Sequence, residues 1–583
     1  MNPYLADSVR QALRRVTTRL LSELGRAGHW TGELSASALS TATAVTALAT
    51  VDRTAHSDLV RSGLNWLAAH ANADGGWGDT VRSRSNLSTT ALVWAAFGAA
   101  QADTEFATTI AGATAYLRRH AGPPDEIMPA IEKLYGQDRT FSVPITMTLA
   151  LSGRLGSDGW QRVRPLPFEL AALPRGLFGA LRLPVVSYAL PALIAIGQVI
   201  HHHAPRFHPV RSLVRRRTLD VLTQLQPPNG GFLEATPLTS FVTMSLAGMG
   251  LGDHVVAKRG VAFLRASVRP DGSWPIDTNL ATWVTTLAIK ALRHQPETLD
   301  AAQRSTLRAW LLGQQHRGVH PYTGAAPGGW AWTDLPGGVP DADDTAGALL
   351  ALRQLGDPNA ETLRAVADGV RWLLGLQNRD GGIPTFCRGW GTLPFDRSTP
   401  ELTAHALRAW RAWLSQLPPA LARQTQHAQD RARRFLATSQ RTDGGWVPLW
   451  FGNEHAPQHE NPVYGTAQAL LGTGQEAALH GIRTNGWSFL RRQQNADGGW
   501  GGALGAPSTM EETALAVEAL ADDPTSGENV PRGAQWLVRA VEAERWREPA
   551  PIGLYFARLW YFERLYPLVL AAGALGRLAS KDG

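Results

Sequence analysis

Apolar residues recur along most of this chain at helical spacing, and short Gly-rich turns interrupt them. An aromatic or apolar residue closes each turn: GRAGHW (Trp30), NADGGWG (Trp77), PPNGGF (Phe232), RPDGSW (Trp274), APGGW (Trp330), NRDGGI (Ile383), RTDGGW (Trp446) and NADGGW (Trp500). A glutamine stands six positions before the closing residue at Gln226, Gln377, Gln440 and Gln494. Small-residue helix starts such as DTAGALLAL, LTAHALRAW and ETALAVEAL follow, with a second helical stretch before the next turn. From Phe232 on, the period is roughly 40 to 60 residues, two helices and one turn per unit. Asp-Gly-Gly supplies a positive-φ turn, the glutamine is expected to bond exposed amides at the next helix start, and the Trp ring covers the junction. Such a unit cannot bury its apolar face alone, so neighbours must stack, and a ring of helix pairs closes the structure. Strand signals are scarce, which predicts an all-α fold.

The repeat fades between Gly78 and Gly230. Leu183 to Ile200 carries no charge and is nearly long enough to span a bilayer. Pro184 and Pro191, with Ser187, Tyr188 and Gln198, argue against a simple spanning helix. His201 to His203 and Arg206, Arg211, Arg215, Arg216 and Arg217 follow. Apolar surface beside a basic cluster predicts contact with one leaflet of an anionic membrane. The competing expectation is a buried core helix followed by a solvated basic loop. The formal charge of +7 is spread thinly, without the concentrated stripe of a nucleic-acid module. Cys387 is the only cysteine, which excludes intramolecular disulfides and Cys-based zinc sites. The N-terminal residues form an amphipathic helix, with Leu5, Val9, Leu13, Val16 and Leu20 on one face and no signal-peptide core, so a cytoplasmic location is expected.

Between Gly328 and Leu352, in GGWAWTDLPGGVPDADDTAGALLAL, Asp341, Asp343 and Asp344 crowd a helix start. One acidic residue suffices for a cap. Three so close cannot all ionise cheaply, so at least one holds its proton to higher pH, and an aspartic acid protonated beside tryptophans is a candidate proton donor. No phosphate-cradling GxxxxGK[ST], no GxGxxG and no GxSxG elbow is present, and DADDT is not the magnesium-binding DDxxD pattern. Consecutive His201 to His203 point apart, and His455 and His459 with Glu454 and Glu460 sit in a proline-broken loop, so neither group is expected to hold a metal.

PDADDTA after GGWAW, together with the repeated QxxDGGW turns, resembles the squalene–hopene cyclase family of class II triterpene cyclases, from GHWTGEL at Gly28 to the LYPLVLAAGAL tail. The resemblance implies two α/α barrels, assigned to residues 20–265 and 266–583 with helix 1–19 packed against the second. It also implies a monotopic dimer on the cytoplasmic face of the membrane, and cyclisation of squalene or a related polyprenyl lipid to a hopene-type product without metal or organic cofactor. On the family's pattern Asp343 is the general acid, flanked by Asp341 and Asp344, and His405 in ELTAHAL is its partner, strengthening the acid if cationic. Trp332, Phe386, Trp283, Trp450 and Tyr555 fall at aromatic positions facing the growing cation.

The sequence departs from the pattern at Leu559 and Phe562, where tyrosines are expected, at the missing Trp-Ala-Arg signature in VSYALPALIAIG, and near Thr43, which lacks an acidic neighbour. These changes favour an alternative polyprenyl substrate. A prenyltransferase subunit would need Asp, Cys and His around zinc, which Cys387 lacks, and a non-catalytic binding toroid has no use for three clustered aspartates.

Overall fold

The computed structural model describes residues 3–136, 138–174, 177–178, 187–206, 208–386, 394–474, 476–554 and 558–581. It is 63% helix and 4% strand, the all-α class that the turn-punctuated periodicity predicts. After α1 (Pro3–Ser22), α2 (Ala38–Asp52), α3 (Leu87–Ala99), α4 (Arg139–Leu151), α5 (Leu190–His203) and α6 (Thr236–Gly248) stand side by side, and α6 returns onto α2 to close a ring. A second ring consists of α7 (Ala281–Ala291), α8 (Ala342–Gln354), α9 (Pro400–Trp413), α10 (Pro462–Thr473), α11 (Met510–Leu520) and α12 (Tyr566–Ala579), which packs back on α7. Outer helices such as Ala360–Leu376 and Asn529–Glu542 cover the inner ones, and α1 takes an outer place against α12 and Asn529–Glu542.

Composition explains the layering. Inner helices such as α2, ALSTATAVTALATVD, are small and apolar all round because they are covered on every side. The outer Asn529–Glu542 buries Ala534, Trp536, Leu537 and Val541 on one face and leaves its charges outside.

One hydrogen bond recurs in every unit. The amide of the residue closing the Gly-rich turn donates to a threonine hydroxyl in the first turn of an inner helix. The pairs are Trp77–Thr90 at 3.0 Å, Phe232–Thr239 at 3.0 Å, Trp330–Thr345 at 3.0 Å, Ile383–Thr403 at 2.9 Å, Trp446–Thr466 at 3.0 Å and Trp500–Thr513 at 2.9 Å. Two further pairs interlock the rings: Trp30, which precedes α2, bonds Thr285 on α7, and Trp274, which precedes α7, bonds Thr41 on α2. The Ala36–Ser37 strand pairs antiparallel with Trp274–Pro275 at the same crossing. Each turn-closing indole also donates to a leucine carbonyl, as Trp446 does to Leu436 at 2.9 Å. Gly444 has φ +89, and a Cβ there would meet Asn485 O at 2.5 Å, so only glycine lets the turn lie against the outer helix.

Two expectations change. The glutamines donate to carbonyls instead of capping amides: Gln440 Nε2 reaches Gly444 O at 2.9 Å and Ile482 O at 2.8 Å. Gln315 plays the same part with Gly328 O and Ala365 O, and the longer excursion before Trp330 hid it from the six-residue spacing. The apolar run toward Ile200 is a core helix as far as it is described. Leu190, Ile194, Ile196, Val199 and Ile200 are buried, and Gln198 is satisfied by Thr218 at 2.8 Å. Among the described residues no helix is long and apolar enough to cross a membrane; Leu183 to Val186 lie outside them. An inner helix is apolar on all sides for the same reason a lipid-facing one is, so the run alone did not distinguish them. Exposed Val210 and Leu213 remain beside the arginines on the following helix.

Thr466→Val should leave the buried Trp446 amide without an acceptor and cost about 1–3 kcal/mol in denaturant unfolding, with helical content retained. A loss near zero would show that the anchor is dispensable.

Candidate active site

The threonine anchor fixes what faces the lumen of the second ring. With 3.6 residues per turn, the residue two before each threonine lies about 200° around the helix, opposite the turn. Those residues are Trp283, Asp343, Glu401, Tyr464 and Glu511, each two before Thr285, Thr345, Thr403, Thr466 and Thr513. Two after Thr403 stands His405. The acid and its partner are therefore consequences of the repeat register.

Asp341 is the N-cap of α8, accepting from the Asp344 amide at 2.8 Å, while its own amide donates to Trp330 O at 3.0 Å. This cap aims Asp343 inward, where its Oδ1 lies 2.5 Å from Nδ1 of His405 on α9. Glycine at position 347 spares Thr286: a Cβ there would stand 2.9 Å from Thr286 Oγ1, while the His405 ring, at 3.7 Å, would meet it in ordinary contact. Burial pushes Asp341 up to about 7. Burial, with the charges of Asp341 and Asp343, raises Asp344 well above the usual carboxylate range, so Asp344 keeps its proton beside Asp341. Burial also holds His405 below its ordinary value against the pull of Asp343, and Lys290 and Arg408 act in the same direction. A value below the ordinary one favours the neutral imidazole near pH 7, whose Nδ1–H then donates to Asp343. His405 Nε2 is buried with no partner among the described residues.

Aromatic rings line the space next to the acid. Trp332, Phe386 and Trp450 form one wall, with Trp332–Phe386 centroids at 6.2 Å and Phe386–Trp450 at 6.4 Å. Trp332 O accepts from the amides of Thr282 and Trp283, and its indole donates to Asp277 at 3.1 Å. Trp283 stands T-shaped to His405, centroids 6.2 Å apart, and donates to Tyr566 Oη at 3.0 Å. Tyr555 and Cys387 lie outside the described residues. Reasoning from the sequence missed Phe395, Phe451, Tyr464, Tyr561 and Tyr566, which pack among these rings. Tyr464 was within reach of the threonine register; Tyr561 comes from a short hairpin, Ile552–Leu554 with Leu559–Tyr561, that has no repeat signal. Tyr188, read as a polar interruption, packs on Phe386 and Phe395. No three His, Cys, Asp or Glu side chains converge in a metal-holding group among the described residues, including around His455 and His459.

A family profile described as the squalene-hopene cyclase C-terminal domain matches residues 279–580, and one described as the N-terminal domain matches residues 13–126. Enfumafungin synthase efuA of Hormonema carpetanum is 29% identical over 393 residues, 60% of this chain and 28% of that protein. A drimenyl diphosphate synthase of Streptantibioticus cattleyicolor is 31% identical over 304 residues, 48% of this chain and 50% of that protein. A squalene–hopene cyclase of Alicyclobacillus acidocaldarius is 28% identical over 436 residues, 66% of this chain and 64% of that protein. The matches thus span less than two thirds of these relatives' own lengths. The ent-copalyl diphosphate synthase structure from Streptomyces platensis superposes with a TM-score of 0.59 at 19% identity, covering 99% of this chain and all of that one, a likeness of fold.

The lumen acids make stability depend on pH. Burial, then Glu512, pushes Glu511 up to about 8 while its carboxylate accepts from the Ala550 amide. A carboxyl raised above its unfolded value stabilises the fold fully below that unfolded value, and the contribution is lost as pH rises through about 8. Urea unfolding should therefore show stability falling between pH 5 and pH 8, and Glu511→Gln, which keeps an acceptor but never ionises, should make the fall shallower. An unchanged slope in that variant would place the pH dependence elsewhere.

Proposed function

Since the chain belongs to the squalene-hopene cyclase family, we propose that it is a class II terpene cyclase, an isomerase that protonates a linear polyprenyl chain and folds it into rings. The observation that carries this reading is the Asp343–His405 contact of 2.5 Å inside an aromatic-lined ring. Neutral His405 donates Nδ1–H to Asp343 Oδ1, which leaves the second carboxyl oxygen to present its proton to the terminal alkene. Asp344, itself protonated, adds no charge against the anion that Asp343 becomes.

Protonation makes a tertiary cation, and each following double bond attacks it in turn, closing one ring per step. The faces of Trp332, Phe386, Trp450 and Trp283 stabilise positive charge by about 0.5–2 kcal/mol each without acting as nucleophiles. Exclusion of water while substrate fills the ring would keep the cation from being quenched early. The leading substrate is squalene, with a pentacyclic hopene-type product.

A second reading, a shorter polyprenyl chain, rests on Tyr188. Its ring stands 5.5 Å from Phe386 and 5.0 Å from Phe395, and its carbonyl accepts from Tyr322 Oη at 2.5 Å. The first barrel thereby fills space beside the Trp332 wall, which favours fewer rings.

Purified enzyme should be offered squalene and shorter linear polyprenyl diphosphates, and the lipid extracts resolved by gas chromatography. Asp343→Asn keeps shape and polarity but has no transferable acidic proton, so cyclisation should fall by at least about 10²–10⁴-fold with the fold intact. His405→Ala should lose less, and Trp332→Ala should release prematurely terminated products. Near-normal turnover by folded Asp343→Asn would remove that residue from the mechanism.

A further inference from the structure

Below the acid, the second ring holds charges that its apolar helices do not announce. Lys290, Arg408 and Glu518 each stand five residues past the anchoring threonine of their helix, Thr285, Thr403 and Thr513. Five residues turn each of them about 140° from its threonine, toward the lumen and deeper than Asp343. Lys290 lies one turn beyond Thr286, whose side chain faces the Gly347 site beside His405. Arg408 lies nearly one turn beyond His405 itself.

Arg293 is paired with Glu518 and donates to Lys290 O at 3.0 Å. Neither Lys290 nor Arg408 has a side-chain hydrogen bond or ion pair among the described residues. Lys290, Arg293 and Arg408 against Glu518 leave the floor with positive charge in excess. Burial lowers Lys290 to about 8 and Arg408 to about 10, so both remain cations at neutral pH. Burial opposes ionisation of Glu518, yet Arg293, Arg408 and Lys290 hold it below the usual carboxylate range. Lys290 and Arg408 are half-buried inside the ring, and a cation held there without a partner carries a desolvation cost that calls for an explanation.

We propose that Lys290 and Arg408 are positioning residues for the general acid, fixed charges beneath Asp343 that strengthen it as a proton donor in place of an imidazolium. The proposal deepens the reading of Asp343 as that donor. A positive charge favours the carboxylate that remains after proton transfer, and here it also keeps His405 neutral, so the field on Asp343 comes from groups that do not give up protons at working pH. The other groups around Asp343 do not supply it. Asp341 and Asp344 on α8 and Glu401 on α9 are acidic, while Tyr464 on α10, Tyr561 on the hairpin and Tyr566 on α12 are raised by burial and stay neutral. Glu518 on α11 is engaged by Arg293.

The test reads Asp343 directly and needs no substrate. The infrared carboxylic-acid band that Asp343→Asn removes is titrated with pH in the wild type, and the same difference is taken in Lys290→Met and Arg408→Gln backgrounds. Its midpoint should move upward by about half a unit to one unit in each, and stay in place in Lys290→Arg. Where a cyclisation assay is running, the plateau rate should fall while the alkaline limb moves up, a combination that loss of packing does not produce. A midpoint that is unmoved, moves downward, or shifts equally in Lys290→Arg overturns the proposal. Should Lys290→Met lose its helical circular dichroism, Lys290→Gln and Arg408→Gln carry the same reading. Failure to cyclise any polyprenyl lipid would count against the functional assignment and leave this titration interpretable.

Discussion

The amide of a turn-closing residue, buried under its own indole, has to find an acceptor, and a threonine in the first turn of an inner helix provides it. An unsatisfied buried amide costs about 1–3 kcal/mol, so the repeated bond sets the rotation of every inner helix it touches. Once that rotation is set, the positions two residues either side of the threonine face the lumen. Trp283, Asp343, Glu401, Tyr464 and His405 are chemistry placed on those positions. The crossed bonds from Trp30 to Thr285 and from Trp274 to Thr41 extend the same constraint between the two rings, so neither can rotate its helices independently of the other.

Within that frame the acid meets opposing demands. It must hold a proton before each turnover and release it to an alkene, a poor base. Burial and neighbouring carboxylates favour the protonated form, as Asp341 and Asp344 show by their upward displacement. A neutral His405 orients Asp343 without adding full positive charge, and the floor of the barrel is where positive charge is available. Geometry and field are supplied by different residues.

Much of this was legible from the sequence, for physical reasons. Gly-rich turns closed by tryptophan mark the ends of helix pairs because positive φ and close backbone approach admit few alternatives, as at Gly444. Three aspartates at one helix start marked the acid because one would have served as a cap. Less was legible where one pattern serves two environments. The run toward Ile200 is apolar on all faces because its ring surrounds it, which is also how a lipid-facing segment reads. Lys290 sits in ATWVTTLAIKAL, where a lone lysine near a helix end normally signals solvent, and its half-buried place shows only once the ring is closed. Tyr561 reaches the site on a hairpin without periodicity, and Gln315 was masked by a longer turn.

The central claim is that a proton from Asp343 becomes part of the product, and isotope labelling follows that proton most directly. The enzyme is equilibrated in deuterium oxide, allowed to cyclise a linear polyprenyl chain, and the product's mass is measured. One deuterium bonded to carbon in each cyclised molecule, at the end of the chain where ring closure begins, is the predicted result. A cyclised product that carries no deuterium would contradict initiation by a solvent-exchanged acid and, with it, the role assigned to Asp343.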